Sequence, residues 1–279
     1  MSSNLAKIPP YNDVSENAFI GGAKDVFEAI KEYSLIGMLG WQDVRQRYQR
    51  SIIGPFWLTI SMAVMIGTIG LVFGQIFNSK MDEFLPFLAI GMIAWGFVST
   101  TINEGCTGFI AAESMIKQLP LPLFFHILRV IWRNFIITLH NLIIVPAILI
   151  IFGKSIGPSI FLVIPGLIIA SINIAWVTLF LGLICTRYRD IPQIVTSGLQ
   201  ILFYLTPIMW MPSLLPHHAR VYLLDANPLY HAIEIIRGPI LGTIPTAVNW
   251  NVSIAIAIIG WLVTFYAYGK LKHRVAYWL

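Results

Sequence analysis

The chain has 279 residues, of which 57% are hydrophobic and 11% are charged, against about 25% charged residues in ordinary soluble domains. A water-soluble core cannot hide this much apolar surface, so lipid must be one of its solvents. The net charge of +5 does not indicate nucleic-acid binding, because the basic residues lie at the ends of apolar runs rather than on one face with interleaved aromatics. The composition predicts an all-α integral membrane protein.

The first segment, residues 1–53, is predicted to be a cytoplasmic tail that contains an amphipathic helix at about 22–36. The apolar positions of this helix share one face: Val26, Phe27, Ile30 and Tyr33. A helix of this kind before a first span can lie flat on the inner leaflet. We interpret it either as an anchor alone or as an anchor whose polar face also docks a soluble partner.

A basic segment directly precedes the first uncharged run. Residues 54–77 contain no Asp, Glu, Lys or Arg, and a helix of that length crosses a hydrocarbon core about 30 Å thick. Arg45, Arg47 and Arg50 lie just before it. One interpretation is the positive-inside rule combined with an interfacial aromatic belt. The other is that these arginines attract an anionic lipid-linked substrate, because guanidinium groups bind phosphate bidentately.

Uncharged runs predict a six-span transmembrane domain over residues 54–279. The spans cover about residues 54–77, 84–104, 127–152, 158–184, 191–210 and 250–269. With both termini inside, 14 of the 18 Lys and Arg residues face the cytoplasm, and the opposite orientation would violate the positive-inside rule. The sequence therefore predicts an N-in, C-in topology.

Two connections between spans are long enough to have structure of their own. Residues 111–119 are typical of a short cytoplasmic helix that ends at a Pro-x-Pro turn, and this helix is either a lever for an external motor or a simple turn. Residues 211–249 are rich in proline but apolar, which predicts re-entrant helices that enter from the outer face. Glu234 and Arg237 are spaced to form a pair there, in the segment we interpret as an outer gate.

The spans carry almost no ionisable residues, unlike those of most ion-driven carriers, so the energy for transport must come from elsewhere. Gly153-Lys154-Ser155 is not the end of a phosphate-binding loop, because Ile148 stands where the first glycine should be. Cys106 and Cys185 lie far apart in the sequence without a Cys/His cluster. We therefore expect no catalytic residue, metal site or cofactor site in this chain.

Aromatic residues make up 13% of the chain, and most are expected in the interfacial belt or in packing. Some could instead line a conduit, because aromatic faces stack against sugar rings. The candidates for this role are Phe56, Trp57, Trp95 and Tyr204.

Four segments, taken in order with the six spans, resemble one family. They are WQDVRQRYQRSIIGPFW at 41–57, IKQLPLPL at 116–123, RYRDIPQI at 187–194 and NPLYHAIEIIRGPILG at 227–242. On these residues the chain resembles the membrane subunit of ABC-2-type bacterial polysaccharide exporters, which move O-antigen, capsule or teichoic-acid polymers. The resemblance covers about residues 22–275.

The resemblance implies a homodimer of this chain in the bacterial inner membrane, bound to two copies of a separate ABC ATPase that holds ATP and Mg. It also implies that the helix at 22–36 packs against the ATPase and that the helix at 111–119 is a coupling helix. The implied ATPase contacts are Glu28, Lys31, Glu113, Met115 and Lys117.

The implied substrate is a polysaccharide linked to undecaprenyl diphosphate, with O-antigen as the first expectation. Its diphosphate would meet Arg45, Arg47 and Arg50, and membrane lipids would surround the complex. The outer gate would include Asn227, Pro228, Glu234 and Arg237.

Three other functions stay open at this point. An ABC-2 permease could carry a lipid or a drug, although no large extracellular domain of the kind found in such relatives is present in the sequence. A membrane-embedded glycosyl- or acyltransferase would need clustered acid and base groups, for which His217-His218 with Asp225 is the only outer grouping. An ion-coupled carrier is disfavoured by the uncharged spans.

Overall fold

The computed structural model describes residues 17–47, 54, 56–155, 157–216 and 220–279, and these residues form helices and no β-strand. The α-helices are α1 (Ala18–Lys31), α2 (Tyr33–Arg47), α3 (Phe56–Ile76), α4 (Met81–Cys106), α5 (Gly108–Ala111), α6 (Glu113–Gln118), α7 (Leu123–Asn141), α8 (Ile144–Ile151), α9 (Val163–Arg187), α10 (Ile191–Leu205), α11 (Pro228–Ile240) and α12 (Ala247–Trp278). Short 3₁₀ segments cover Pro158–Leu162 and Pro212–Leu214, and a π-helical turn covers Val221–Asp225. The predicted all-α class is confirmed for the described residues.

Within the described ranges, five helical segments are long and apolar enough to cross a membrane. They are Phe56–Ile76, Met81–Cys106, Leu123–Ile151, Pro158–Arg187 and Ala247–Trp278. These segments match five of the predicted spans. The last of them continues to Trp278, beyond the predicted end at residue 269, because charged residues mark the membrane boundary but do not stop a helix.

The sixth predicted span, 191–210, corresponds to the shorter helix α10. Its 15 residues extend roughly 22 Å at 1.5 Å per residue, which is less than the thickness of about 30 Å. The helix ends because Thr206 precedes Pro207 and is extended, as residues before proline usually are. A sixth full crossing therefore stays a prediction.

The third crossing segment is interrupted between α7 and α8, at Leu142 and Ile143. Pro146 lies four residues after Leu142. Its ring cannot donate a hydrogen bond to the Leu142 carbonyl and clashes with it, which accounts for the break.

The N-terminal segment is helical, but the helix predicted at about 22–36 is divided at Glu32, between α1 and α2. Of the four predicted apolar residues only Val26 is buried, whereas Phe27, Ile30 and Tyr33 are exposed. The buried face of α1 instead contains small residues, including Gly22, because α1 packs tightly against α12. A Cβ atom on Gly22 would lie 2.4 Å from the Phe265 carbonyl oxygen, so this crossing requires glycine.

Helix α4 is at the centre of the packing. In the most apolar 18-residue stretch of α4, 78% of the residues are buried inside the protein, compared with 11% in the corresponding stretch of α3. The larger hydrophobic core joins α4 to α8, α9 and α11, and a smaller core joins α1, α7, α9 and α12. Helix α3 therefore presents most of its apolar surface outward.

Side-chain contacts assign the helix ends to two sides of the molecule. Arg47 pairs with Glu104, and Asp25 contacts the first residues of α7, so α1, α2, the end of α4 and the start of α7 share one side. We call this side the basic end. Lys154 pairs with Asp82 at the opposite end. That the basic end faces the cytoplasm stays a prediction from the positive-inside count.

Candidate functional site

Five charged residues from three helices form one network at the basic end. Arg129 of α7 binds both carboxylate oxygens of Asp43 on α2, with its Nε 2.8 Å from Oδ2. Arg133 donates to Glu104 Oε2 at 2.7 Å and to Asp43 Oδ2 at 3.3 Å. Arg47 donates to the other oxygen of Glu104 at 3.0 Å. The network therefore cross-links α2, α4 and α7.

The network is poorly accessible to water. The side chains of Asp43, Glu104, Arg129 and Arg133 are at most 24% exposed, whereas that of Arg47 is 48% exposed. Pairs with this degree of burial are screened less by salt than surface pairs. Within the described residues, three guanidinium groups share two carboxylates in this network.

A cavity of about 400 Å³ lies beside this network. Its wall contains residues from α2, α4, α5, α6 and α7: Asp43, Arg47, Glu104, Thr107, Gly108, Ala111, Ala112, Ser114, Met115, His126, Arg129, Val130 and Arg133. The cavity is thus lined by both the charge network and the segment predicted to be the coupling helix.

The three arginines predicted to meet a lipid diphosphate have different surroundings. Arg47 belongs to the charge network and lines the cavity. Arg45 is exposed on α2, where it lines a shallow surface pocket with Trp41 and Gln42. Arg50 lies outside the described residues. The structure therefore brings only Arg47 of this set to the cavity.

The predicted coupling helix at 111–119 is two short helices, α5 and α6, separated at Ala112. Glu113 and Lys117 form an exposed ion pair of 2.6 Å along α6, and the hydrogen bond from Lys117 lowers the pKa of the Glu113 carboxyl below its ordinary value. Met115 is half-buried and lines the cavity. Helix α6 therefore has an exposed face, with Glu113 and Lys117, and a second face, with Met115, that lines the cavity beside the charge network.

The predicted ATPase contacts of the N-terminal segment are both on α1. Glu28 and Lys31 are exposed there. Their side chains are accessible to another subunit, and their contact with an ATPase stays a prediction.

Helix α11 carries the residues predicted for an outer gate. Asn227 caps this helix, because its side-chain oxygen accepts hydrogen bonds from the Leu229 and Tyr230 amides at 3.0 and 3.3 Å. Pro228 occupies the first helical turn, where its missing N–H costs nothing. The side-chain amide of Asn227 also donates to Thr206 Oγ1 at 3.0 Å, which ties α11 to the end of α10.

Glu234 and Arg237 form the predicted pair, with Arg237 Nη2 2.6 Å from Glu234 Oε2. The Arg237 side chain is only 1% exposed. Its Nη1 donates to the Pro207 carbonyl at 2.6 Å, and its guanidinium carbon lies 3.8 Å from the centre of the Phe87 ring. A buried cation thus joins α11 to α4 and to the chain after α10.

The four aromatic residues proposed for a conduit have different surroundings. Phe56 and Trp57 are exposed near the start of α3, and Tyr204 is exposed on α10. Trp95 is buried in α4, where its ring centre lies 5.6 Å from that of Phe203. Lining a conduit stays a prediction for each of them.

Sequence reasoning missed a second polar contact at the basic end, centred on Asp25. Its carboxylate accepts hydrogen bonds from the Leu123 and Phe124 amides at 3.4 and 3.2 Å and from the Tyr268 hydroxyl. Pro122 precedes α7 and has no side-chain acceptor, so Asp25 caps this helix from α1. The available signal in the sequence was that Asp25, an acidic residue, lies among the small residues of α1.

The charge network was also missed as a unit. In the sequence, Asp43 precedes the first predicted span, Glu104 ends the second, and Arg129 and Arg133 lie near the inner end of the third. The signal in the sequence was therefore that two acidic and two basic residues are predicted at the same membrane face, where they can pair.

The structure offers no candidate metal centre in its described ranges, since no group of three or more His, Cys, Asp or Glu residues is placed to hold an ion there. Cys106 and Cys185 are both buried and not disulfide-bonded. His217 and His218, the residues considered for an enzyme, lie outside the described ranges.

Comparison with known proteins gives a consistent result. The family model for the ABC-2 type transporter matches residues 34–241, which is most of the chain and includes both the charge network and α11. An O-antigen export system permease protein RfbA from Klebsiella pneumoniae is 21% identical over 249 residues, covering 88% of this chain and 94% of that protein. A protein with the same name from Myxococcus xanthus is 21% identical over 210 residues, covering 73% of this chain and 79% of that protein.

Proposed function

Because the chain belongs to the ABC-2 type transporter family, we propose that it is the permease of an ATP-driven exporter for a lipid-linked polysaccharide, with O-antigen as the first candidate. Membership of this family makes the chain a transport subunit whose ATPase is a separate partner, and a multi-pass integral membrane protein, which in bacteria means the inner membrane. The cargo, the ATP-driven step and the assembly are the proposal.

One observation carries the choice of cargo. The alignment with the Klebsiella pneumoniae O-antigen permease extends over 88% of this chain and 94% of the relative. Agreement over nearly the whole length of both proteins supports a shared architecture rather than one shared motif. The identity of 21% leaves the particular polymer to experiment.

The proposed assembly is a homodimer of this chain with two copies of an ABC ATPase, which binds ATP and Mg. The exposed faces of α1, with Glu28 and Lys31, and of α6, with Glu113 and Lys117, would contact the ATPase. Closure of the ATPase dimer on ATP would press on α6. Since α6 shares a cavity wall with the charge network, this movement would reach α2 and α7.

The undecaprenyl-diphosphate head group would be recognised at the basic end, where Arg47, Arg129 and Arg133 line the cavity. The polymer would then pass between the two protomers. Helix α11 would form the gate at the opposite end, held by Asn227 and Arg237 until the transporter opens.

The first experiment is purification of the tagged chain from its native membrane with identification of the co-eluting proteins. A stoichiometric soluble ABC ATPase is expected. The pair would then be reconstituted and tested for ATP-dependent movement of an undecaprenyl-diphosphate-linked polymer. Absence of an ATPase, under conditions that preserve known ABC complexes, would contradict the proposed assembly. ATP-dependent transport of lipid or drug but not polymer would refute the proposed cargo.

The head-group contact has its own test. Charge reversal at Arg47 together with Arg50 is expected to abolish export while dimerisation and ATPase binding persist. Lys154→Glu is the matched control, because it reverses a charge at the opposite end, where the pair with Asp82 is exposed. Undiminished export by the double variant would refute this contact.

A further inference from the structure

Two apolar grooves lie side by side on the surface formed by α1, α7, α9 and α12. The first groove has a volume of about 570 Å³ and is lined by Val26, Ile30, Phe124, Leu128, Ile131, Phe135, Ile164, Leu167, Ile168, Ser171, Ile172, Ala175 and Trp261. The second has a volume of about 430 Å³ and is lined by Ile169, Ile172, Ile254, Ala257, Ile258, Trp261, Leu262 and Phe265. Among these described lining residues none is charged, so neither groove is suited to a polar ligand.

Both grooves are open towards the lipid rather than closed inside the protein. Phe124, Ala175 and Ala257 are at most 9% exposed, whereas Ile168 and Ile258 on the same grooves are 55% and 57% exposed. The lining residues of α7, α9 and α12 belong to three of the segments that are able to cross a membrane. The medium next to the grooves is therefore hydrocarbon.

The first groove is separate from the cavity at the basic end. It uses Phe124, Leu128 and Ile131 of α7, whereas that cavity uses Arg129 and Arg133, and the two have no lining residue in common. A ligand in the grooves would therefore be distinct from the head group of the proposed cargo.

A fixed ridge divides the two grooves. Ile172 and Trp261 line both of them. The Trp261 Nε1 donates a hydrogen bond to the Ile172 carbonyl at 3.2 Å, which joins α12 to α9. The ring of Trp261 also packs between two others, with its centre 5.8 Å from that of Phe124 and 4.9 Å from that of Phe265. The ridge is thus held in place from both sides.

The grooves have the length of one leaflet and meet α1 at the same end. The lining residues of α7, from Phe124 to Phe135, extend roughly 16 Å at 1.5 Å per residue, and half of a hydrocarbon core of about 30 Å is about 15 Å. Val26 of α1 lines the first groove, and Phe265 of the second meets α1 at Gly22. Both grooves therefore reach the basic end, at the level of α1.

We propose that the two grooves bind the two acyl chains of one phospholipid, from the leaflet at the basic end, with the ridge of Ile172 and Trp261 between the chains. Water does not fill a groove without polar partners, whereas a hydrocarbon chain restores the dispersion contacts that an empty groove lacks. Two grooves beside one ridge match a lipid whose two chains are joined at its head group. A lipid with a single chain would fill only one of them.

The test compares two lipids that differ by one chain. The full purified chain is freed of lipid in detergent and titrated with dipalmitoyl phosphatidylethanolamine or with its lyso form, which has one palmitoyl chain and the same head group. Native mass spectrometry measures the bound fraction. We expect saturable binding of one two-chain lipid per copy of this chain, with an affinity about tenfold or more above that of the lyso form, because the second chain adds its own contacts.

Two substitutions fill the grooves one at a time. Ser171→Phe places a ring in the first groove, and Ala257→Phe places one in the second. Each variant is expected to lose the preference for the two-chain lipid. Ile259→Phe is the matched control, because Ile259 is 61% exposed on α12 and lines neither groove, so this variant should bind as wild type does.

The outcomes separate a built site from general contact with lipid. The proposal is overturned if wild type binds both lipids equally, or if Ser171→Phe keeps the preference of wild type. Undecaprenyl phosphate, which has one chain, is titrated as a third ligand, and tighter binding of it than of the two-chain lipid would also overturn the proposal. Ala257 is buried, and if Ala257→Phe does not fold, Ser171→Phe alone decides. The readout involves neither transport nor an ATPase, so failure of the proposed function would leave it unchanged.

Discussion

Replacing Asp25 with alanine is expected to loosen the basic end. The Asp25 carboxylate accepts hydrogen bonds from the Leu123 and Phe124 amides and from the Tyr268 hydroxyl. Tyr268 is fully buried. This one side chain therefore caps α7 and satisfies a buried hydroxyl on α12.

The magnitude follows from those two roles. Loss of a helix cap costs about 1 kcal/mol, and a buried hydroxyl left without its partner costs about 1–3 kcal/mol. We expect Asp25→Ala to lower the free energy of unfolding by about 3 kcal/mol. For a chain of this size about 1 kcal/mol corresponds to about 2–4 °C in Tm, so the Tm should fall by about 6–12 °C.

The assay is heating of the purified chain in detergent, followed by size-exclusion chromatography of the protein that stays folded. Glu28→Ala is the matched control, because Glu28 is an exposed acid on the same helix and its loss should leave Tm nearly unchanged. Tyr268→Phe removes the hydroxyl that Asp25→Ala would orphan, so the double variant should lose less than the sum of the single variants. A fall below about 2 °C for Asp25→Ala, or strict additivity, would refute this reasoning.

Two further predictions concern the buried cation and the helix crossing. Arg237→Lys keeps the charge but loses the contact that two guanidinium nitrogens make with Glu234. The free energy of unfolding should fall by about 1–3 kcal/mol. A variant that unfolds at the wild-type Tm would contradict this prediction. Gly269→Ala would place a Cβ atom 1.5 Å from the Ala18 carbonyl oxygen, so α1 should separate from α12 and become sensitive to limited proteolysis. Gly37→Ala is its control, since nothing lies within 4 Å of that position, and equal proteolysis of both variants would argue against the crossing.

Features that depend on neighbouring residues could be predicted from the sequence. Uncharged runs located five crossing helices because the cost of burying charge in lipid acts at each position separately. The pair of Glu234 and Arg237 was predicted correctly because both residues lie on one helix, three positions apart. The break after Asn141 was missed, although Pro146 was a local signal for it.

Features that depend on tertiary packing were beyond this reasoning. The three hydrogen-bonding partners of Asp25 lie 98, 99 and 243 residues further along the chain. The exposed position of Phe27 likewise results from the approach of α1 to α12 through small residues, which an amphipathic pattern does not encode. The amphipathic pattern predicted an apolar face for the membrane surface, and it did not indicate that the small residues of α1 pack against α12.

The same distinction applies to the candidate site. Arg47 was identified from its position before the first span, where a single stretch of sequence carries the signal. The role of Glu104 as the partner of both Arg47 and Arg133 requires α2, α4 and α7 to meet, which their separate sequences do not specify. The cavity beside them could be recognised only in three dimensions.

The two ends of the molecule hold their charges in different ways, and this difference bears on which end opens more easily. At the basic end, separating α2 from α7 would break the pair between Arg129 and Asp43, and breaking a buried pair costs about 3–5 kcal/mol. At the opposite end, Arg237 has its counter-charge on its own helix. Moving α11 would break the hydrogen bond between Asn227 and Thr206 and the apolar packing of this helix in the larger core. It would keep the cation paired, and Arg237 would lose the hydrogen bond to the Pro207 carbonyl and the stacking on Phe87.

Those two contacts are worth about 1.5–3 kcal/mol and about 2 kcal/mol, and water can replace the hydrogen bond once the helix moves outward. Water cannot replace the counter-charge of Arg129 to the same extent, because the network remains largely enclosed by α2, α4 and α7. If α11 acts as the proposed gate, it would carry the charge of Arg237 already neutralised on its own helix. Helices α2, α4 and α7 are instead joined so that a displacement of one is passed to the others.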